Sequence, residues 1–191
     1  MRIELIYPLF MPIFFKNKVI IMRKISEIIL HCSATQEGKD FKASDINRWH
    51  KQQGWNEIGY NFVIDLDGTI EEGRNIDKVP AHCAGRNAHS IGICYIGGCD
   101  KNNKAKDTRT EAQKLSMYKL IKELCIKYHI DVTDVHCHNE YAKNKSCPSF
   151  DIYKFRAEFT TWLAGKIEEP KKKVKCPFCN HDIEIDLLNT V

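Results

Sequence analysis

Residues 90–96 read S-I-G-I-C-Y-I, and the run closes on Gly97-Gly98. The run does not alternate as a strand with one wet face would. It is expected to be a central strand buried on both faces, with Gly92 inside it. Such a strand needs cover on each side, and the rest of the chain supplies helices for it. Residues 110–129 predict the best helix. Thr110 and Gln113 have capping-box spacing, and Leu115, Tyr118, Leu124, Cys125 and Tyr128 keep helical spacing. Residues 149–164 predict a last helix, with Ile152, Phe155, Phe159, Trp162 and Leu163 on one stripe and Gly165 as its stop. Residues 44–53 predict another, N-capped by Ser44 and ended by Gly54.

Residues 26–30 predict a short strand ending at His31, although so short a run also fits a helix. Residues 60–66, followed by Asp67-Gly68 and Thr69-Ile70, predict a hairpin. Residues 79–84 predict a short extended piece, and 131–135 an edge strand leading to His136. Strands alternating with helices, with one hairpin among them, argue an α/β fold: a mixed central β-sheet flanked by α-helices. A chain of 191 residues, 43% of them hydrophobic, has the material for one such core. Its formal net charge of +4 is too small for a dedicated nucleic-acid binder, so no specific nucleic-acid partner is expected. Mild basicity suits an anionic polymer such as a cell wall.

The ends read differently from this body. Residues 5–15 are apolar but interrupted by Pro8 and Pro12, and the stretch is too short to span a bilayer. Residues 1–23 are read as a leader ahead of a start at Met22, with a signal or anchor as the alternative. No stable membrane insertion is expected. The body covers 24–165, a charged and flexible linker 166–175, and a tail 176–191 containing C-P-F-C-N-H. Nine scattered cysteines read as a reducing compartment with one or two metal sites, not a disulfide framework.

Residues 136–148 read H-C-H-N-E-Y-A-K-N-K-S-C-P, and a second His-Cys pair, His31-Cys32, ends the first strand. Neutral imidazole and thiolate are the ligands zinc prefers. Singly, each of these residues is better read as a hydrogen-bonded histidine, a surface histidine or a buried thiol. Together, His31, His138 and Cys147 offer three ligands and leave a fourth position open, as a catalytic zinc requires. His136 competes with His138 for one place. An open zinc polarises a carbonyl and activates water, so the oxyanion of amide hydrolysis needs nearby donors. Lys145 and Tyr60 are the candidates, against the plainer readings of a solvated lysine and a packed ring. Trp55, Arg74, His82 and Asn87, in loops between strands, are candidates for lining a sugar- or peptide-binding groove. In the tail, Cys176 and Cys179 make half of a zinc ribbon, with His181 as a further ligand. Two tails sharing an ion would give a dimer; the plain reading is a tail of reduced thiols.

H-C-S-A-T at 31–35, W-H-K-Q-Q-G-W at 49–55, G-Y-N-F at 59–62, D-G-T at 67–69, G-R at 73–74, H-S-I-G-I at 89–93, G-G at 97–98 and K-S-C-P-S-F-D at 145–151 occur in order. Over residues 24–163 this set resembles the zinc-dependent type 2 N-acetylmuramoyl-L-alanine amidases, whose fold the peptidoglycan recognition proteins share. The short phage amidases called phage lysozymes are the nearest likeness. The resemblance implies a zinc ion on an open cleft. It implies hydrolysis of the amide between the lactyl group of N-acetylmuramic acid and the first L-alanine of peptidoglycan. It assigns His31, His138 (two residues before Glu140) and Cys147 to zinc, and Tyr60 and Lys145 to assisting catalysis. The loop between Glu140 and Cys147 departs from the pattern, carrying Lys143-Asn144 where a proline is common. Receptors on this fold typically lose the cysteine ligand, so the retained Cys147 favours an enzyme over a non-catalytic peptidoglycan binder. A zinc-ribbon adaptor acting through the tail is a third reading. A phage-type enzyme is expected in the cytoplasm before release to the wall; export through the N-terminal segment is the alternative.

Overall fold

The computed structural model describes residues 23–165, 172–175 and 182–185. In chain order the elements are β1 (Glu27–Cys32), β2 (Thr35–Gln36), α1 (Ala43–Gln52), β3 (Phe62–Ile64), β4 (Ile70–Glu72), β5 (Ser90–Tyr95) and β6 (Gly98–Cys99). Then come α2 (Glu111–Tyr128), β7 (Val135–Cys137), α3 (His138–Tyr141), α4 (Ile152–Leu163), β8 (Lys172–Lys175) and β9 (Asp182–Ile185). The main sheet has five strands in the order β4-β3-β5-β1-β7. Strands β3, β5, β1 and β7 run parallel, and β4 is antiparallel to β3. The uninterrupted apolar run becomes β5, at the middle of the sheet, with all six residues buried. A short parallel pair, β2 and β6, prolongs β1 and β5 beyond their ends.

Side-chain alternation sorts β1 into two faces. Ile28, Leu30 and Cys32 join Ile91, Ile93 and Tyr95 of β5 in a core closed by Met117 and Ile121 of α2 and by Phe155 and Phe159 of α4. Phe150, Phe155, Phe159 and Trp162 stack in series through that layer. Burying each large side chain contributes roughly 1.5–3 kcal/mol, so this face supplies most of the cohesion. The opposite face carries Ile29 and His31. There α1 covers only part of the sheet, through Ala43 and Ile46 against Val63, Cys94 and Ile96. The uncovered remainder, at the carboxyl ends of β1 and β7, leaves room for a cleft.

Several expected boundaries move for local reasons. Helix α1 starts at Ala43, not Ser44, because the Asp45 carboxylate accepts from the Lys42 amide at 3.0 Å and caps the turn earlier. Helix α4 starts at Ile152, since Asp151 accepts from the Lys154 amide at 2.8 Å. Helix α2 keeps the expected capping box of Thr110 and Gln113. Residues 79–84 form no strand: Pro80 offers no donor, and the Val79 carbonyl is taken by Arg74 at 3.0 Å. The edge strand is β7, preceded by a 3₁₀ turn over Val132–Asp134. Arg156 donates to the Val135 carbonyl of this strand at 2.7 Å and to the Thr133 carbonyl of the turn before it at 3.0 Å. The segment expected as a flexible linker ends in β8, which pairs antiparallel with β9. Residues 1–22 of the leader and the tail residues Cys176, Cys179 and His181 lie outside the described residues.

Candidate metal centre and active site

Strands β1 and β7 are adjacent and parallel, and their last paired residues are Leu30 and Cys137. The next residue on each is a histidine, so His31 and His138 emerge side by side at one end of the sheet. Their ring centroids are 4.5 Å apart. The third member arrives from the loop entering α4. The Cys147 carbonyl accepts from the Asn139 amide at 2.9 Å, which clamps that loop to the start of α3. The Cys147 sulfur then lies 3.7 Å from His31 Nδ1 and accepts from the Cys32 amide at 3.3 Å. One ligand atom from each of His31, His138 and Cys147 falls within 4.8 Å of the others, the one such group of three among the described residues. Two imidazoles and a thiol fit zinc, and a three-residue set leaves a position open. His136 is not part of it. Its ring instead faces Glu140 at 3.5 Å and Arg156 at 3.4 Å.

Behind the cluster is a hydrogen-bonded chain. His31 Nε2 meets His82 Nδ1 at 2.9 Å, and His82 Nε2 meets Ser90 Oγ at 3.1 Å. The relay orients His31 so that Nδ1 faces Cys147 and His138, the arrangement metal-ligating histidines use. It fits only because of Gly92. That residue lies on the same face as His31, and a Cβ there would come within 2.5 Å of the His82 ring. Burial, together with the neighbouring His82 and His138, drives the His31 pKa well below its usual value. Burial first, then His138, Arg23 and Arg74, push His82 down to about 3. His138 is lowered by burial and by the Lys145 charge. All three imidazoles are therefore neutral at pH 7, the form that binds a metal.

These shifts make acid sensitivity an expected property of the metal-free protein. Below pH about 6.5 the unfolded chain takes up protons that the folded imidazoles refuse, so stability falls as pH falls. For His82 the loss continues toward pH 3. Urea midpoints measured between pH 7.5 and 4 should decline steadily from about 6.5 downward. A flat profile would contradict neutral burial.

Tyr60 stands half-buried beside the cluster, its ring centroid 5.0 Å from His31. Burial raises its phenol pKa well above the ordinary value, so it keeps its proton and acts as a donor. A row of rings continues outward, Tyr60 to His50 at 5.5 Å and His50 to Trp55 at 4.5 Å. Trp55 is 38% exposed and borders an open pocket of about 310 Å³ with Asn56, Glu57, Arg74 and Ala81. Lys145 is exposed at the cleft rim, on the side of His138.

Three of the four groove candidates also hold other parts of the protein in place. The Arg74 guanidinium is committed to the carbonyls of Ile58, Val79 and Glu57, so it braces the pocket wall. Asn87 Oδ1 accepts from the amides of His82 and Cys83, both at 2.9 Å, and holds the loop that delivers His82. His82 backs the metal ligand. Sequence reasoning missed this relay, although a glycine inside a buried strand signals close approach by another group. It also missed Glu27. This carboxylate is 4% exposed and accepts from Arg86 at 2.6 Å and from the Tyr141 hydroxyl at 3.0 Å, tying α3 to β1 beneath the ligands.

A family model described as N-acetylmuramoyl-L-alanine amidase matches residues 22–150. The endolysin of Klebsiella phage KP32 is 40% identical over 130 residues, spanning 68% of this chain and 84% of that protein. Among solved structures, N-acetylmuramoyl-L-alanine amidase LysC from Clostridium intestinale URNW is similar with a TM-score of 0.60 at 30% identity, covering 72% of this chain and 86% of that one. Peptidoglycan recognition protein-LE, solved in complex with tracheal cytotoxin (monomeric diaminopimelic acid-type peptidoglycan), gives a TM-score of 0.55 at 25% identity, covering 76% and 84%.

Proposed function

The chain belongs to the N-acetylmuramoyl-L-alanine amidase family, and from that premise we propose that it cuts the lactyl–L-alanine amide of peptidoglycan with a zinc ion held by His31, His138 and Cys147. The observation that carries the zinc reading is the convergence of those ligand atoms within 4.8 Å from segments far apart in sequence. Bound there, zinc supplies a Lewis acid for the scissile carbonyl and a water with a pKa of about 7. The chain's own groups do the rest. His31 and His138 present lone pairs because burial keeps them neutral. The protonated Tyr60 phenol donates a hydrogen bond toward the reacting carbonyl oxygen or the attacking water. The Lys145 ammonium, at the rim near His138, adds positive charge where the oxyanion develops. Trp55 offers a ring face, and its pocket, shared with Asn56, Glu57 and Arg74, offers polar groups for the stem peptide or sugar.

A non-catalytic binder on the same fold is the competing reading. The complete cluster and the buried relay behind it favour the enzyme, because recognition alone requires neither. The KP32 relative is an endolysin, and action on the wall after release from the cytoplasm suits this chain as well. No helix among the described residues is long and apolar enough to cross a membrane.

Purified peptidoglycan incubated with the protein should release peptides with a free N-terminal L-alanine, leaving lactyl-ended glycan. A chelator should stop the release and added zinc restore it. New reducing sugar ends in place of free amines, or release indifferent to chelation, would overturn the assignment.

A further inference from the structure

Cys32 follows the ligand His31, and strand alternation turns its side chain to the opposite face of the sheet, where it is 5% exposed. The Cys147 thiol nevertheless lies against it. The sulfur of Cys147 is 3.3 Å from the Cys32 amide and 3.9 Å from the Cys32 carbonyl. The Cys32 sulfur is held at 3.8 Å from Ser149 Oγ. Gly98 closes over it so tightly that a Cβ would stand 2.4 Å from that sulfur. Cys147 therefore sits between two neighbours: the ligand atom His31 Nδ1, 3.7 Å from its sulfur, and Cys32, whose own sulfur faces the loop that carries Cys147.

We propose that Cys32 and Cys147 form a reversible redox pair in which a disulfide takes the third ligand away from the metal site. The inference deepens the zinc reading and rests on it for its consequence, though the disulfide itself does not require the metal. With hydrogen peroxide as oxidant the step balances. Cys147, the more exposed of the two, attacks a peroxide oxygen, the O–O bond breaks, and a sulfenic acid and water form. The Cys32 sulfur then attacks the Cys147 sulfur and displaces hydroxide, which leaves as water with the remaining proton. Two thiols and one peroxide give one disulfide and two waters. A bound zinc ion ties up the Cys147 thiolate and slows the first step. A dithiol reductant returns both sulfurs and reopens the site. Without Cys32, the sulfenic acid at Cys147 has no partner in place and moves on to the sulfinic acid, which such a reductant does not reverse.

The test uses full-length protein, stripped of metal and treated with hydrogen peroxide, then alkylated and mapped by mass spectrometry. The expected result is a peptide linking Cys32 to Cys147, a loss of zinc uptake of at least about tenfold, and recovery of both with dithiothreitol. Pre-loading with zinc should suppress the link. In a Cys32→Ser variant that still takes up zinc before oxidation, the same treatment should give Cys147 sulfinic acid and a loss that dithiothreitol does not recover. A Cys32→Ala variant covers the case in which serine does not fold. Oxidised wild-type protein with Cys147 linked elsewhere, or oxidised with no link, would overturn the pair. A protein that takes up no zinc before oxidation would instead overturn the ligand reading, while the peptide map still reports on the pair.

Discussion

Cys147→Ser should stop amide hydrolysis and abolish tight zinc retention, while leaving the fold intact. The substitution changes one atom, but a serine hydroxyl does not ionise near neutral pH and is a poor zinc ligand beside two imidazoles. Removing a group that merely supports a ligand costs 10–100-fold in affinity or activity, so removing a ligand should exceed about 100-fold. The folding cost should be small. Cys147 is half-buried and its main contribution beyond the metal is accepting from the Cys32 amide, worth about 1 kcal/mol. Zinc content by elemental analysis, wall digestion and a urea midpoint on the same preparation check the three claims. A serine variant that keeps zinc and full activity would remove Cys147 from the site.

Gly92→Ala should weaken the metal site although the residue touches neither metal nor substrate. The added methyl would lie 2.5, 2.7 and 2.9 Å from three atoms of the His82 ring. Gly92 is in the middle of β5, paired with Ile29 in the densest part of the core, so the backbone has nowhere to retreat. The imidazole must move instead. His31 then loses its 2.9 Å partner and with it a fixed tautomer and ring orientation. A loss of 10–100-fold in zinc affinity is the expected size. The argument routes the whole effect through His82, which gives it a sharp form. His82→Ala should cost a similar amount, and the Gly92→Ala/His82→Ala double variant should be no worse than His82→Ala alone. Additive losses, or wild-type affinity in Gly92→Ala, would show that the relay does not position the ligand.

The reading of the fold succeeded where a single strong pattern spoke. The apolar run of β5, the Asp67-Gly68 turn and the capping box of α2 are each local devices whose outcome depends little on the rest of the chain. It left open what a distant partner decides. Whether His136 or His138 faces the cleft is ambiguous in an extended segment; it is decided by β7 ending at Cys137 and α3 beginning one residue later. Arg74 and Asn87 read as groove-lining residues, and their bonds to backbone from neighbouring turns are a second role that the sequence does not announce. His82 belongs behind the metal because Gly92 clears space for it, a relation between a loop and a strand that no period in the sequence encodes. The motif resemblance supplied the ligand assignment that composition and spacing left open.

The Arg156 side chain that donates to carbonyls at the β7 margin bears on how the sheet meets further chains. A sheet margin with free carbonyls is a template on which further chains can add and polymerise. With the carbonyls of Thr133 and Val135 already accepting from the guanidinium, that stretch of the margin has less to offer an incoming strand. An amidase with its edge occupied in this way presents less open backbone on which a second sheet could grow.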